Sequence, residues 1–168
     1  MMLRSLDSFC AYLSATPLSQ AIQTTEWIIP AVQTVHILAV AAVMSSILMV
    51  DLRFAGLRAR GQPMATVADR YLPIVWYALP VLLATGATLI IAEPSRALQN
   101  PIFLLKMSLL VLAVGVTLAC QLPVRRDAGF WDRSPSRRRL AGLVACLSLP
   151  LWIGIVFAGR WIAYVQTK

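Results

Sequence analysis

The sequence predicts an all-α integral membrane protein, a four-helix bundle preceded by short N-terminal amphipathic helices. Two observations carry this. Hydrophobic residues make up 59% of the 168-residue chain, mean hydropathy is +0.74 and only 13% of residues are charged, which is too apolar for a soluble domain with a polar exterior. The charges also fall so as to leave long apolar gaps: about 24 residues between Glu26 and Asp51, 22 between Arg70 and Glu93, 18 between Lys106 and Arg125, and 20 between Arg139 and Arg160. Each gap is near the length a helix needs to cross a bilayer. Transmembrane barrels would need alternating segments of roughly 10 residues instead.

Residues 1–25 form the first unit. Asp7, Ser8, Ser14, Thr16, Ser19 and Gln20 interrupt any apolar core, so no cleavable signal peptide is expected. Two short surface helices fit better. Leu3, Leu6, Phe9, Cys10 and Leu13 share one face of the first, and Thr16-Pro17 supplies a cap and first turn for the second. Residues 26–168 form the second unit, with spans at about 27–50, 71–92, 102–124 and 140–162.

The basic residues orient the bundle. Arg53, Arg58, Arg60 and Arg70 lie between spans one and two, and Arg125, Arg126, Arg133, Arg137, Arg138 and Arg139 between spans three and four. The opposite side holds Arg4, Arg96, Arg160 and Lys168, with Lys106 just inside the membrane. The positive-inside rule puts both loops in the cytoplasm and both termini outside. The net charge of +8 is thus mainly a topology signal, and no nucleic-acid partner is expected, because the arginines flank spans without an aromatic-interleaved soluble module. Phe130 and Trp131 are expected at the interface. Asp51 and Arg53 are expected to form a helix-end polar cluster or ion pair. Cys10, Cys120 and Cys146 indicate neither a disulfide framework nor a zinc site. Cys120 and Cys146 read as small packing residues, as do Gly154 and Ala158.

The chemistry centres on His36, the only histidine, which lies inside the apolar run 27–50. It is ten residues past Glu26, or about 15 Å down the helix axis and close to mid-membrane. Water cannot satisfy an imidazole there, so a protein group, a metal, a haem iron or a transferable proton must. Gln33, His36, Val40 and Met44 follow one helical stripe, with Ala39 and Val43 beside it. Lys106 sits about a turn and a half inside span three, where it either snorkels to the interface or meets an anion. Arg160 ends span four, as an interfacial anchor or a partner of Glu93. A mid-membrane histidine with two cations above it resembles the needs of haem b: an axial ligand in the apolar core and positive groups for the propionates.

The runs Glu26-Trp27-Ile28-Ile29-Pro30, Val35-His36-Ile37-Leu38, Val50-Asp51-Leu52-Arg53, Asn100-Pro101-Ile102-Phe103 with Leu105-Lys106, and Ala158-Gly159-Arg160 with Ala163-Tyr164 resemble an uncharacterised family of small four-helix bacterial inner-membrane proteins. More distantly, a histidine in span one and a lysine entering span three resemble the haem-containing membrane protoporphyrinogen oxidases and the copper-resistance D-type membrane proteins. The first resemblance implies a bacterial inner membrane with periplasmic termini. The oxidase resemblance implies haem b on His36, with Lys106 in a catalytic or charge-compensating role. The single histidine excludes a bis-histidine cytochrome within one protomer, leaving the sixth position open or filled by Met44, Met107 or a partner chain. The copper resemblance implies transfer along His and Met ligands, yet Met44, Met49, Met64 and Met107 form no close Met-x-x-Met ladder.

The expected function is therefore haem b binding in electron transfer or redox chemistry near the outer face. His36 is the axial ligand, and Lys106 and Arg160 meet propionates or an anionic substrate. Three alternatives stand beside it: an accessory subunit of a larger membrane complex without cofactor, copper transport, and a proton or quinone site of His36 with Tyr77 or Trp76. Besides the lipid bilayer, the expected partners are a redox protein, a larger complex or a second copy of the chain.

Overall fold

The computed structural model describes residues 2–59, 61–162 and 164–165, with side chains from Leu6 onward. Arg60, Ala163, Lys168 and the side chains of Leu3 and Arg4 lie outside the described residues. Every regular element described is helical: α1 (Met2–Ser14), α2 (Pro17–Thr24), α3 (Ile28–Phe54), α4 (Met64–Ala92), α5 (Pro94–Leu98), α6 (Pro101–Arg126) and α7 (Pro135–Trp161). Helices α3, α4, α6 and α7 are long and apolar enough to cross a membrane, so the chain is a multi-pass membrane protein. The N- and C-terminal segments gather at one end of the bundle, the terminal end. The two arginine-rich loops lie at the other, the arginine end.

Helix α3 packs along α4 and along α7, α7 packs along α6, and α4 touches α6 only sparsely. Packing follows the helical period. On α3 the seam runs Ala39, Val43, Ile47, Val50 and Phe54, all buried, against Leu72 and Val75 of α4 and Ala145 and Trp152 of α7. His36 begins this seam one turn before Ala39, while Gln33 is exposed. The outer faces carry exposed Ile37, Leu83, Leu112 and Phe157, a surface suited to lipid rather than water.

The helices overrun the apolar gaps at the arginine end. Charges mark the edge of the hydrocarbon layer, not the last hydrogen-bonded turn, so α3 reaches Phe54, α4 starts at Met64 and α7 at Pro135 behind the capping Ser134. Helix α3 stops in a Schellman turn: the Gly56 amide donates to the Arg53 carbonyl and the Leu57 amide to the Leu52 carbonyl. Gly56 adopts φ +71° there, which glycine tolerates without strain.

The N-terminal helices cap the terminal end. As the sequence predicts, Thr16 accepts from the Ser19 amide with Pro17 in the first turn. Ser19 Oγ then donates to the Ile91 carbonyl and Gln23 Nε2 to the Ala92 carbonyl, each at 2.7 Å, satisfying carbonyls that the last turn of α4 leaves unpaired. Of the predicted α1 face, Cys10 is buried and Leu6 and Leu13 half-buried, but Phe9 points outward. Asn100 caps α6 through the Ile102 amide and donates to the Val165 carbonyl beyond α7, both at 2.9 Å.

Three expectations are corrected at the arginine end. Trp131 does not face outward: it is buried, with Nε1 donating to the Cys120 carbonyl at 3.1 Å and its ring edge-on to Phe130. Asp51 and Arg53, two residues apart, cannot face each other on a helix. Asp51 turns to Ser148 of α7 and leaves Oδ2 buried without a partner, whereas Arg53 pairs with Asp132 at 3.4 Å. Cys120 is buried, but Cys146 is exposed rather than packed in the core. Gly154 does serve packing, since a Cβ there would lie 3.4 Å from Leu109 of α6.

Candidate functional site

His36 faces α4, where its Nδ1 lies 2.7 Å from Thr85 Oγ1. The threonine hydroxyl has one hydrogen, and it donates to the Val81 carbonyl at 2.7 Å. With that hydrogen on Val81, Thr85 accepts from His36 Nδ1 and the neutral imidazole carries its hydrogen there; the opposite tautomer would instead take the threonine hydrogen on Nδ1. In the first arrangement Nε2 is left with its lone pair. Gly86 lies beside the ring, and a Cβ there would stand 3.8 Å from His36 Cε1.

Lys106 reaches across from α6 to α7. A Cβ on Gly159 would lie 3.5 Å from Lys106 Nζ and 3.6 Å from Cε, so the lysine stem rests on bare helix backbone. It is half-buried and has no ion-pair partner among the described residues. Lys106 lies five residues from the start of α6 and His36 eight from the start of α3, both at the terminal end. An unpaired ammonium in an apolar span is costly, and an anionic group drawn to it would relieve that cost. His36 and Lys106 thus belong to the same half of the bundle.

The other predicted residues do not join them. Arg160 is exposed, with Nη2 3.4 Å from the Tyr164 hydroxyl and its guanidinium over that ring. Glu93 pairs with Arg96 at 2.7 Å rather than with Arg160. Met44 lies eight residues beyond His36 in the same unbroken helix, about 12 Å along the axis, too far to share a metal ion with it. Met107 points outward from α6. Tyr77 is exposed, and Trp76 donates to Gln121 Oε1 at 2.7 Å, so neither meets the imidazole. Among the described residues no three His, Cys, Asp or Glu side chains gather to hold a metal ion.

Thr85 is the site residue the sequence reading missed. A depth argument could have found it: His36 lies eight residues from the start of α3 and Thr85 seven from the end of α4, so antiparallel neighbours bring the two to one level.

Neither the curated proteins nor the solved structures contain a match to this chain. A sequence family covers it almost end to end, over residues 12–165, and the chain therefore belongs to the family of unknown function DUF6644.

Proposed function

We propose that the protein holds haem b in the terminal-end half of its bundle, with His36 as the axial ligand, and acts there in electron transfer or redox chemistry. The observation that carries this is the His36–Thr85 hydrogen bond. It engages Nδ1 and turns the ring so that Nε2 is the nitrogen left to meet a metal, and a ligating histidine oriented through its other nitrogen is the usual arrangement. The donor set fits an iron held from this chain by one imidazole. It does not fit a His36–Met44 pair, for the axial reason above, and Met107 and Arg160 face away. Haem would supply a one-electron couple. The chain's own residues would do the rest: Thr85 would orient the imidazole, Lys106 would neutralise carboxylates, and the apolar spans would exclude water.

In the same reading the arginine end faces the cytoplasm of a bacterial inner membrane and the termini are periplasmic. An impermeant thiol reagent applied to intact cells, with Cys10 replaced, should leave a cysteine introduced at Ala128 unlabelled. Labelling there would reverse the orientation.

The cofactor proposal is tested by haem extracted per chain from membranes of a haem-replete host. Wild type should carry haem, and His36→Ala should carry none while still inserting, because insertion depends on the apolar spans. A second reading rests on the same hydrogen bond: Thr85 alone satisfies one nitrogen, so His36 is a tie between α3 and α4 in an accessory subunit. That reading expects no haem in wild type and only lost stability in His36→Ala.

A further inference from the structure

A second feature lies at the opposite end of the bundle from His36. A cleft of about 920 Å³ opens between the last turn of α3, the loop before α4 and the first turns of α7, a volume in the range of ligand sites. Its charges are one-sided, with Arg53, Arg138 and Arg139 facing Asp132 alone. Arg53 is buried and immobilised, its Nε donating to the Gln62 carbonyl at 2.8 Å and its Nη2 to Asp132 at 3.4 Å. Asp132 is already committed, because Oδ2 accepts the Met64 amide at 2.9 Å and Oδ1 serves Arg53. Arg138 comes no closer to that carboxylate than 4.0 Å, and Arg139 has no ion-pair partner among the described residues. Gly56 and Gly61 line part of the cleft without side chains, and a Cβ at either would meet nothing within 4 Å.

We propose that this cleft binds a phosphate-ester anion, with Arg138 and Arg139 as its charge partners and Arg53 fixing the wall behind them. Guanidinium forks match phosphate oxygens bidentately. The cleft lies where the spans leave the apolar layer, so the anion can be the headgroup of an acidic phospholipid or a soluble phosphate compound. Both offer the same oxygens.

The test uses full-length protein in a neutral detergent, with native mass spectrometry and thermal unfolding as readouts. Phosphatidylglycerol is compared with phosphatidylcholine, and inorganic phosphate with chloride at equal ionic strength. Wild type should retain phosphatidylglycerol over phosphatidylcholine by about tenfold or more. The double substitution R138Q/R139Q, at two exposed side chains, should remove that preference. R125Q/R126Q deletes equal charge outside the cleft and should leave it intact. Stabilisation by inorganic phosphate that is lost in R138Q/R139Q would assign a soluble ligand, and a response to the lipid alone would assign the headgroup. Equal loss in the two double variants would reduce the effect to general basic charge and overturn the site. So would binding that R138Q/R139Q leaves unchanged, or a wild type that prefers neither phosphatidylglycerol nor phosphate.

Discussion

At the arginine end, one carboxylate, Asp132, serves both the buried Arg53 and the first amide of α4, and Trp131 folds over the core with its ring nitrogen on the Cys120 carbonyl. In the terminal-end half of the same spans, His36 has a partner on one of its two nitrogens and Lys106 has no ion-pair partner among the described residues. The contrast separates structure from chemistry. Polar groups that complete one another within the chain hold helices together, and the buried Asp51 Oδ2 is the exception at that end. Polar groups left half-satisfied in an apolar layer are the ones a ligand can complete, and the proposed haem is such a ligand. The account assigns stability to the completed groups of the arginine end and haem binding to the His36 half; the anion cleft proposed at the arginine end uses Arg138 and Arg139, which lie outside that completed network.

That division can be broken by substitutions whose effects should differ in kind. The largest loss of stability is expected for Trp131→Ala, about 3 to 5 kcal/mol as a buried aromatic is truncated, read as a lowered unfolding temperature in detergent. A loss no greater than that of Tyr77→Ala, at an exposed position, would mean that Trp131 does not close the core. Asp132→Ala should cost about 2 to 3 kcal/mol, because Arg53 keeps only the Gln62 carbonyl and the Met64 amide loses its acceptor. Neither variant should change how tightly folded protein holds haem.

Thr85→Val should invert the pattern. It keeps the shape, removes the hydroxyl's bonds to His36 and to the Val81 carbonyl, each worth about 1 kcal/mol, and frees the imidazole to turn, so affinity for the cofactor should fall about 10- to 100-fold. A titration of haem into apo-protein measures this, and unchanged affinity would remove Thr85 from the site. A small effect on stability is expected for Lys106→Met, and its sign is diagnostic. Apo-protein should gain about 1 kcal/mol as an unpaired charge leaves the span, whereas haem should be held more weakly. Arg160→Leu should alter neither, because that guanidinium is engaged with Tyr164; a haem loss equal to that of Lys106→Met would return Arg160 to the site.

The features legible in the sequence are those set by local physics. The four spans follow from the cost of charge in hydrocarbon, and the Thr16-Pro17 cap from backbone geometry. His36 stands out because an imidazole in an apolar run has no local partner. Features that depend on which helices touch were not legible. Trp131 reads as an interfacial aromatic from composition, and only the approach of the loop to Cys120 turns it inward. Thr85 is silent in sequence because a threonine within a helix satisfies itself on the preceding turn, as it does here on Val81. The charges near the membrane edge mislead about pairing for a related reason. Glu93 takes Arg96 one turn away rather than Arg160 across the bundle, since a local partner costs less side-chain and backbone ordering.

The central claim, that His36 presents Nε2 to an iron, is tested most directly by the visible absorption spectrum of wild-type protein purified in mild detergent from a haem-replete host. The account predicts a Soret band that is absent from His36→Ala prepared in parallel. A wild-type spectrum without that band would contradict it and leave His36 as a tie between α3 and α4.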